Sequence, residues 1–387
     1  MFEITNEELV QLGAIITANE IRQQPKLWEE TLKNYLANKS KIDYFLATIS
    51  KSHETVRVIF TGAGTSAYVG DTVVPYLKGK VDVQKWNLMS VPTTDIVSNP
   101  YHYLSAEIPT LMISFARSGN SPESLAATHL GQQLVKDFYQ LTITCASAGK
   151  LAQQAVGDEH NLLLLMPAAS NDKGFAMTSS YTCMALSTLL VFDPIPDDEK
   201  QHVVKEIVAM GQNMIKREAE IQSIVSKEFN RIVYVGSGSL VGVAREASLK
   251  ILELTAGKVA TLFDSSLGFR HGPKSFVDEK TLFFTFASNE GYTKQYDWDI
   301  LKEVFADQVA THVCGLTTLK DETFGGEQFI FATEAQKMPD AYLALPYVMF
   351  AQIFSVMVAI KLGNKPDTPS PTGTVNRVVQ GVTIYPY

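Results

Sequence analysis

The feature that most constrains the fold of this chain is a strand–glycine turn–helix pattern that occurs twice. Residues 58–73 read VIFTGAGTSAYVGDTV, and residues 232–247 read IVYVGSGSLVGVAREA. The glycines match in order, Gly62 with Gly236 and Gly64 with Gly238. Later in each half, TLFFTFASNEG echoes LMISFARSGN. The repetition predicts two successive domains with the same fold and a common ancestry.

Apolar strand candidates alternate with helical patterns along the chain. In the first half they cover residues 56–62, 109–116, 140–146 and 161–167. Parallel strands joined by helices are buried on both faces, so the sequence predicts an α/β fold with parallel sheets flanked by helices. The proline- and acid-rich stretch VFDPIPDDEK marks the expected boundary between the two halves. The expected organisation is a helical N-terminal segment (1–50), two α/β domains (51–195 and 196–365) and an extended C-terminal tail (366–387).

The composition is typical of a folded globular protein. An apolar fraction of 45% can fill two cores, and a net charge of −8 is unfavourable for binding nucleic acid or an anionic membrane. The three cysteines are far apart and form no CxxC pair, and the start MFEITNEELV lacks the pattern of a signal peptide. The apolar run 344–360 contains Pro346, Gln352 and Ser355, which favour a buried helix over a membrane span. We therefore expect a cytoplasmic protein.

The first glycine turn leaves two interpretations open. Residues 62–67, GAGTSA, fit the dinucleotide-binding pattern G-x-G-x-x-A, which requires an acidic residue at the end of the next strand, about 20 residues on. Asp82 has nearly that spacing, but it falls at the beginning or middle of VDVQKW. The alternative is a tight turn at which a helix packs closely on the sheet.

The segment SFARSGNSPES (114–124) is the stronger candidate for an anion site. Its triplet SPE (121–123) is typical of a helix start, with a capping hydroxyl, proline at the first position and then an acid. Ser118, Gly119 and Asn120 come just before that helix, where backbone N–H groups and the helix dipole favour an anion. An ordinary serine-rich cap is the alternative.

A narrow charged row stands on an otherwise apolar helix. In REASLKILELTA, at about 100° per residue, Glu246, Lys250 and Glu253 fall within roughly 60° of one another. Burying three charges is costly unless they pair with one another or with a polar ligand. Such a row can tune a base and transfer protons, whereas a surface ion pair with one stray acid is the alternative.

One histidine stands in a well-defined turn. In SSLGFRHGPKSF, His271 lies between Arg270 and a Gly-Pro pair. The residues alone leave a structural and a catalytic role open for this side chain. The other six histidines show no clustered spacing, so no metal site is expected.

The motifs GAGTS, ARSGNSPES, AREASLKILEL and FRHGP together resemble the sugar isomerase (SIS) domain family of phosphosugar proteins, over nearly the whole chain as two tandem domains. The last two are similar to the isomerase half of glucosamine-6-phosphate synthase. A double-SIS chain of this length without a glutaminase domain most resembles the AgaS-type galactosamine-6-phosphate deaminase/isomerases, formerly described as tagatose-6-phosphate ketose/aldose isomerases. The resemblance implies a flavodoxin-like three-layer sandwich in each domain.

The resemblance also implies a role for each matched residue. Glu253 matches the base that moves a proton between C1 and C2 of the sugar, with Glu246 and Lys250 as its electrostatic and proton-relay neighbours. His271 matches the ring-opening acid/base, which in the synthase comes from the other subunit of a dimer. No cofactor and no metal are implied. The sugar 6-phosphate is assigned to loop residues Gly64, Thr65, Ser66, Arg117, Ser118, Gly119, Asn120 and Ser121.

Three features depart from the synthase pattern. Its first phosphate-loop serine is Ala116 here, and its tail lysine falls on Gln380, so no Schiff base from the tail is expected. In the second domain FASNEG lacks the SGxS core. Phosphate is therefore expected only in the first domain.

The predicted function is conversion of galactosamine 6-phosphate to tagatose 6-phosphate and ammonia. The predicted assembly is a homodimer with a shared active site, or a tetramer of such dimers, without nucleic acid or membrane partners. Aldose–ketose isomerisation without deamination and deglycation of a fructosamine phosphate stay open, as does a non-catalytic phosphosugar sensor. The charged row together with His271 favours an enzyme over a sensor.

Overall fold

The computed structural model describes residues 3–331, 337–379 and 381–387, so Gln380 lies outside the described residues. The chain divides into two compact units. The first-sheet unit comprises residues 27–172, 179–197 and 375–387, and the second-sheet unit comprises residues 1–26, 173–178 and 198–374. The domain boundaries expected at residues 50, 195 and 365 stay predictions.

The N-terminal segment is helical, as the sequence predicts. It forms α1 (Asn6–Gln11), α2 (Ile15–Arg22) and α3 (Gln24–Ser52). Thr5 caps α1, because its hydroxyl accepts the Glu8 N–H while the Glu8 carboxylate accepts the Thr5 N–H at 2.8 Å. This reciprocal capping box fixes the start of the first helix.

The first sheet has five parallel strands, β1 (Val56–Thr61), β2 (Trp86–Ser90), β3 (Thr110–Ala116), β4 (Phe138–Thr144) and β5 (Asn161–Leu165). Their order is β2-β1-β3-β4-β5, which is the flavodoxin-like order. All seven residues of β3 are buried, as expected for a strand covered on both faces. The strand expected at VDVQKW begins later, because residues 82–86 form a turn in which the Trp86 N–H donates to the Asp82 carbonyl.

Helices cover this sheet and place its loops. They are α4 (Thr65–Lys78), α5 (Thr93–Ser98), α6 (Pro100–Tyr103), α7 (Pro122–Leu134), α8 (Lys150–Gln154) and α9 (Ser179–Phe192). Ala127 and Leu130 of α7 pack in one buried cluster with Ile59 of β1 and Met112 of β3. This apolar contact fixes α7, and therefore the loop before it, on the sheet.

The second sheet repeats the first. Its parallel strands are β6 (Arg231–Gly236), β7 (Ala260–Ser265), β8 (Thr281–Phe286), β9 (His312–Thr317) and β10 (Glu327–Ile330). Their order β7-β6-β8-β9-β10 is again flavodoxin-like. The repetition seen in the sequence is therefore a repetition of fold.

The helices of the second-sheet unit include an almost wholly buried core helix. They are α10 (Asp197–Lys216), α11 (Glu218–Val225), α12 (Ser239–Leu254), α13 (Thr293–Ala306) and α14 (Asp340–Lys361). Of the helices in the described residues, α14 alone is long and apolar enough to cross a membrane, yet 94% of its most apolar window is buried inside the protein. It is the buried helix that the sequence predicts.

Candidate active site

The two glycine- and serine-rich loops of the first-sheet unit follow neighbouring strands. Thr61, the last residue of β1, lies beside Ser114 of β3 in the parallel ladder. In the order β2-β1-β3, the chain leaves β1 toward β2 on one side and leaves β3 toward β4 on the other side. Open α/β sheets bind ligands in the crevice at the carboxyl ends of two such strands. Loops 62–64 and 117–121 therefore lie at one edge of the sheet. The fold brings both predicted phosphate-binding segments together.

The turn after β1 requires its glycines. Gly64 has a φ of 56°, and a Cβ on Gly62 would lie 2.6 Å from the Cβ of Ser66. The close approach lets α4 begin directly above the strand, with the N–H groups of its first turn at the ligand-binding edge. Asp82 precedes β2 instead of following it, so the dinucleotide interpretation lacks its ribose-binding acid.

The serine loop contains one engaged hydroxyl and one better placed for a ligand. Ser121 is the N-cap of α7: its Oγ accepts the Ser124 N–H at 3.4 Å and its O–H donates to the Ser124 Oγ at 2.6 Å. The Ser118 Oγ accepts the Asn120 N–H at 3.3 Å. Within the described chain no acceptor takes the Ser118 O–H proton. Ser118 is therefore the hydroxyl that can donate to an anion.

Neighbouring segments hold this loop in place. Gly119 has a φ of 67°, and the Asn120 side-chain oxygen accepts the Lys150 N–H at 3.0 Å. The buried guanidinium of Arg117 donates to the Arg377 carbonyl at 2.7 Å, and Arg377 in turn donates to the Asp172 carbonyl at 2.9 Å. The C-terminal tail thus contacts the predicted phosphate loop through Arg117.

In the second-sheet unit, helix α12 brings the charged row together. The Lys250 Nζ lies 3.3 Å from Oε1 of Glu246 and 2.6 Å from Oε2 of Glu253. Glu246 and Lys250 are fully buried, whereas the Glu253 side chain is 25% exposed. Glu253 is therefore the member of the row that a ligand can reach.

The buried lysine carries a proton. Burial by itself lowers the pKa of Lys250, but the charges of Glu246 and Glu253 outweigh burial and raise that pKa above its ordinary value. A protonated Lys250 cannot act as a base at neutral pH. Its ammonium pairs with the Glu253 carboxylate, which leaves Glu253 as the group that can accept a proton from a ligand.

His271 lies apart from this row. It is exposed and lies between 3₁₀ turns at Gly268–Arg270 and Pro273–Phe276. The backbone N–H of His271 donates to the Gly268 carbonyl at 2.9 Å. In the described part of the chain no hydrogen bond or ion pair joins His271 to the row on α12. The fold thus assembles three of the four predicted catalytic residues.

Sequence reasoning missed Asp297, a fully buried residue of α13. Its carboxylate accepts the hydroxyls of Ser237 and Ser266, each at 2.5 Å, and the Ser288 N–H at 2.9 Å. The Asp297 carboxylate therefore lies among the loops of the second sheet that correspond to the predicted phosphate loops of the first. No local pattern reveals this contact, because its partners are up to 60 residues away.

One group in the described residues has metal-ligand character. His312, Cys314 and Glu327 offer ligand atoms within 4.8 Å of one another. Burial lowers the pKa of His312 to about 4, so the imidazole is neutral. The group lies on β9 and β10, away from the loops that follow β6 and β8. The sequence did not indicate it, because Glu327 joins it only through strand pairing.

Comparison with known proteins establishes the family. The chain is 44% identical over 373 residues to the D-galactosamine-6-phosphate deaminase AgaS of Escherichia coli, with 96% of each protein covered. The chain belongs to the AgaS family. Residues 225–362 match the SIS domain family, and the first sheet repeats the strand order of that matched region. The expectation of two tandem SIS folds is confirmed.

Solved structures agree with this AgaS-family assignment. The crystal structure of tagatose-6-phosphate ketose/aldose isomerase from Escherichia coli is 42% identical, with a TM-score of 0.86 and 96% of each chain covered. The C-terminal domain of glucosamine-fructose-6-phosphate aminotransferase from Francisella tularensis, at 16% identity and a TM-score of 0.74, covers 91% of this chain and 98% of that domain. The latter likeness shows the fold alone.

Proposed function

We propose that this protein is a deaminase that converts galactosamine 6-phosphate and water to tagatose 6-phosphate and ammonia. The observation that carries the proposal is the row of Glu246, Lys250 and Glu253 in a chain that is 44% identical to a deaminase of that name. Two of its three charges are fully buried, which a solvated surface row would not require. The third reaches solvent, as a base for a sugar must.

The phosphate group is the anchor of the proposed complex. Backbone N–H groups at the starts of α4 and α7 and the Ser118 hydroxyl would bind it, as helix N-termini commonly bind phosphate. Ser121 would contribute indirectly, because as the N-cap of α7 it holds the loop in place. The phosphate is remote from the reacting carbons, so this binding orients the sugar instead of taking part in the chemistry.

Ring opening comes first in the proposed mechanism. His271 would accept the proton of the anomeric hydroxyl and deliver a proton to the ring oxygen, which gives the open-chain aldehyde. Its exposed position supports the proposal that His271 acts at the site of a second copy in a homodimer, the arrangement that the family resemblance implies. Tetramers would then be pairs of such dimers.

Proton transfer follows on the open chain. The Glu253 carboxylate would take the proton from C2 while the C1 oxygen gains a proton, which forms an enaminol. Glu253 would then return its proton to C1 while the nitrogen loses one, which leaves a C2 imine beside a C1 alcohol. Water adds to the imine and expels ammonia, and the product is the 2-ketose. The ammonium of Lys250 balances the charge of Glu253 in both of its steps.

A second candidate function uses the same groups. Without an amine at C2, the identical proton transfer interconverts an aldose and a ketose phosphate. The observation that favours it is the isomerase from Escherichia coli with a TM-score of 0.86. Deamination differs only in the final hydrolysis, so one active site is able to support both reactions.

The proposed location is the cytoplasm. Cys145, Cys183 and Cys314 are free and buried, which is compatible with a reducing compartment. Burial also raises the pKa of each thiol, so none of the three is a reactive thiolate at neutral pH.

Ammonia release from a panel of sugars tests the proposal. Purified protein is incubated with galactosamine 6-phosphate, glucosamine 6-phosphate and their N-acetyl forms, and ammonia is measured by a coupled assay. We expect release from galactosamine 6-phosphate and none from the N-acetyl sugars, because the acetylated nitrogen forms an imine poorly. If tagatose 6-phosphate is converted to an aldose while no hexosamine phosphate yields ammonia, the isomerase is the correct function. If no sugar phosphate reacts, the enzyme proposal is wrong.

A further inference from the structure

Asp297 is bonded to three different loops of the second sheet. Its Oδ1 accepts the Ser237 hydroxyl after β6 and the Ser266 hydroxyl after β7, and its Oδ2 accepts the Ser288 N–H after β8. The strands β7, β6 and β8 are neighbours in the sheet. The carboxylate therefore lies at the carboxyl edge of the sheet, at the point where the strand order reverses.

The first sheet has its predicted phosphate loops at the same topological place. Gly236 corresponds to Gly62, so Ser237 stands where the first copy has Ala63. In the second copy, hydroxyl and N–H donors converge on the two oxygens of a side chain. A second carboxylate, that of Asp340, accepts the Ser288 hydroxyl at 2.5 Å. Two carboxylates in this crevice repel a further anion.

We propose that Asp297 is an internal anion that takes, in the second sheet, the place assigned to the substrate phosphate in the first. We further propose that it positions the segment 265–276, which carries His271. The second part rests on the proposed function, because only that function gives His271 a role. The first part concerns the architecture of the second sheet and does not depend on it.

Helix α13 holds the segment 265–276 at three points. The inner point is the buried bond from Ser266 to Asp297. Further out, Arg270 pairs with Asp299 at 2.8 Å and with Glu303 at 2.6 Å. The outermost point is Lys274, which pairs with Asp307 at 2.6 Å. Glu303 also pairs with Lys274 at 2.5 Å, so the outer pairs form one partly exposed network. Asp297 is the buried constraint on this segment.

The ionised carboxylate of Asp297 is the acceptor for the donors that surround it. Burial raises the pKa of its carboxyl to about 6, so it is ionised at neutral pH in spite of being buried. Without the carboxylate, the buried Ser266 hydroxyl and Ser288 N–H and the half-buried Ser237 hydroxyl would lose their acceptor. Unsatisfied buried donors are costly, so a small anion that fits the space should bind there.

The test is Asp297→Ala with formate as a replacement carboxylate. Thermal unfolding is followed in formate and in chloride at equal ionic strength. We expect formate at about 100 mM to raise the midpoint of Asp297→Ala by a few degrees, saturably, and to leave the wild type unchanged. Amide hydrogen exchange in residues 265–276 should be about tenfold faster in Asp297→Ala and should slow again with formate.

A second buried aspartate supplies the control. Asp172 accepts the N–H groups of Ser179 and Ser180 at 3.1 and 2.9 Å, and all three residues belong to the first-sheet unit. Asp172→Ala should destabilise the protein while exchange in residues 265–276 stays unchanged. Equal acceleration there in both variants would mean that general destabilisation, not positioning, is responsible.

Ser266→Ala keeps the proposal testable if Asp297→Ala does not fold. It removes one buried hydroxyl, and we expect about tenfold faster exchange in residues 265–276, with kcat lowered and KM for the sugar phosphate unchanged. Ser223→Ala, at an exposed position, is the control for Ser266→Ala.

Two results would overturn the proposal. Absence of any formate effect on folded Asp297→Ala overturns the anion assignment, and unchanged exchange in Ser266→Ala overturns the positioning role. Both readouts need no substrate, so they stay decisive even if galactosamine 6-phosphate is not deaminated.

Discussion

The Nζ of Lys250 lies 2.6 Å from the Glu253 carboxylate and 3.3 Å from the Glu246 carboxylate on the same helix. One buried ammonium therefore pairs with two carboxylates, one buried and one that reaches solvent. The same ammonium therefore stabilises the buried part of α12 and pairs with the carboxylate that is proposed to act as the base.

Replacing Lys250 by Met should strongly destabilise the fold. The variant leaves Glu246 buried beside a second carboxylate without the cation, and breaking a buried ion pair in this way costs about 3–5 kcal/mol. Urea unfolding measures the free energy. Lys258→Met, at an exposed position just after the helix, should change the free energy by less than about 0.5 kcal/mol. A loss below about 1 kcal/mol for Lys250→Met would speak against the buried pairing.

Two serines of the proposed phosphate loop should behave differently. Ser118→Ala removes a hydroxyl proposed to donate to phosphate, so KM for the sugar phosphate should rise about tenfold or more while the unfolding free energy stays within about 0.5 kcal/mol. Ser121→Ala removes the N-cap of α7 and should lower the unfolding free energy by about 1 kcal/mol. Steady-state kinetics and urea unfolding separate the two effects. An unchanged KM in Ser118→Ala would remove that hydroxyl from the site.

Much of this architecture could be predicted because local patterns specify it. The double strand–glycine–helix pattern predicted the two sheets, and the spacing of Glu246, Lys250 and Glu253 predicted a single face of α12. SPE predicted the cap at Ser121. Each of these inferences depends on residues within about two helix turns or one strand–helix unit, where sequence spacing fixes geometry.

Other features could not be predicted because they depend on distant parts of the chain. Asp297 meets Ser237 across 60 residues, and Arg117 meets Arg377 across 260. β2 begins only at Trp86, because residues 82–86 form a turn that the segment VDVQKW does not reveal. Such contacts and strand boundaries depend on tertiary packing, which the periodicity of apolar residues in the sequence does not indicate.

The glycine turn after β1 offers a test of the close helix–strand approach. Gly62→Ala places a Cβ 2.6 Å from the backbone carbonyl carbon of Ser66, so α4 must shift away from the ligand-binding edge. We expect weaker binding of the sugar phosphate, at least tenfold by titration calorimetry. Gly291→Ala is the control, because its Cβ would meet no atom within 4 Å. Similar affinities in the two variants would contradict the geometry.

Asp297 should give the stability a defined pH dependence. Burial raises its pKa in the folded chain from 3.8 to about 6. The folded state therefore binds the proton more tightly than the unfolded state. The pH-dependent part of the stability that comes from this group is full below about pH 4 and is lost as the pH rises through about 6. A rise of the pKa from 3.8 to about 6 corresponds to about 3 kcal/mol.

Comparison with a variant that cannot titrate isolates this effect. The unfolding free energy of the wild type minus that of Asp297→Asn should be largest near pH 4 and should fall by about 2–3 kcal/mol by pH 7. Other titrating groups cancel in the difference. Urea unfolding at a series of pH values provides the measurement, and a difference that does not vary with pH would show that the carboxyl titrates normally.

The most direct test of the central claim is the turnover of Glu253→Gln. The amide keeps the size of the side chain but cannot accept the proton from C2. Ammonia release from galactosamine 6-phosphate should therefore fall by about 10²–10⁴-fold, while calorimetric affinity for the sugar phosphate stays within a few-fold. The exposed Glu279→Gln should keep wild-type turnover. Turnover of Glu253→Gln within tenfold of the wild type would contradict the assignment of Glu253 as the base.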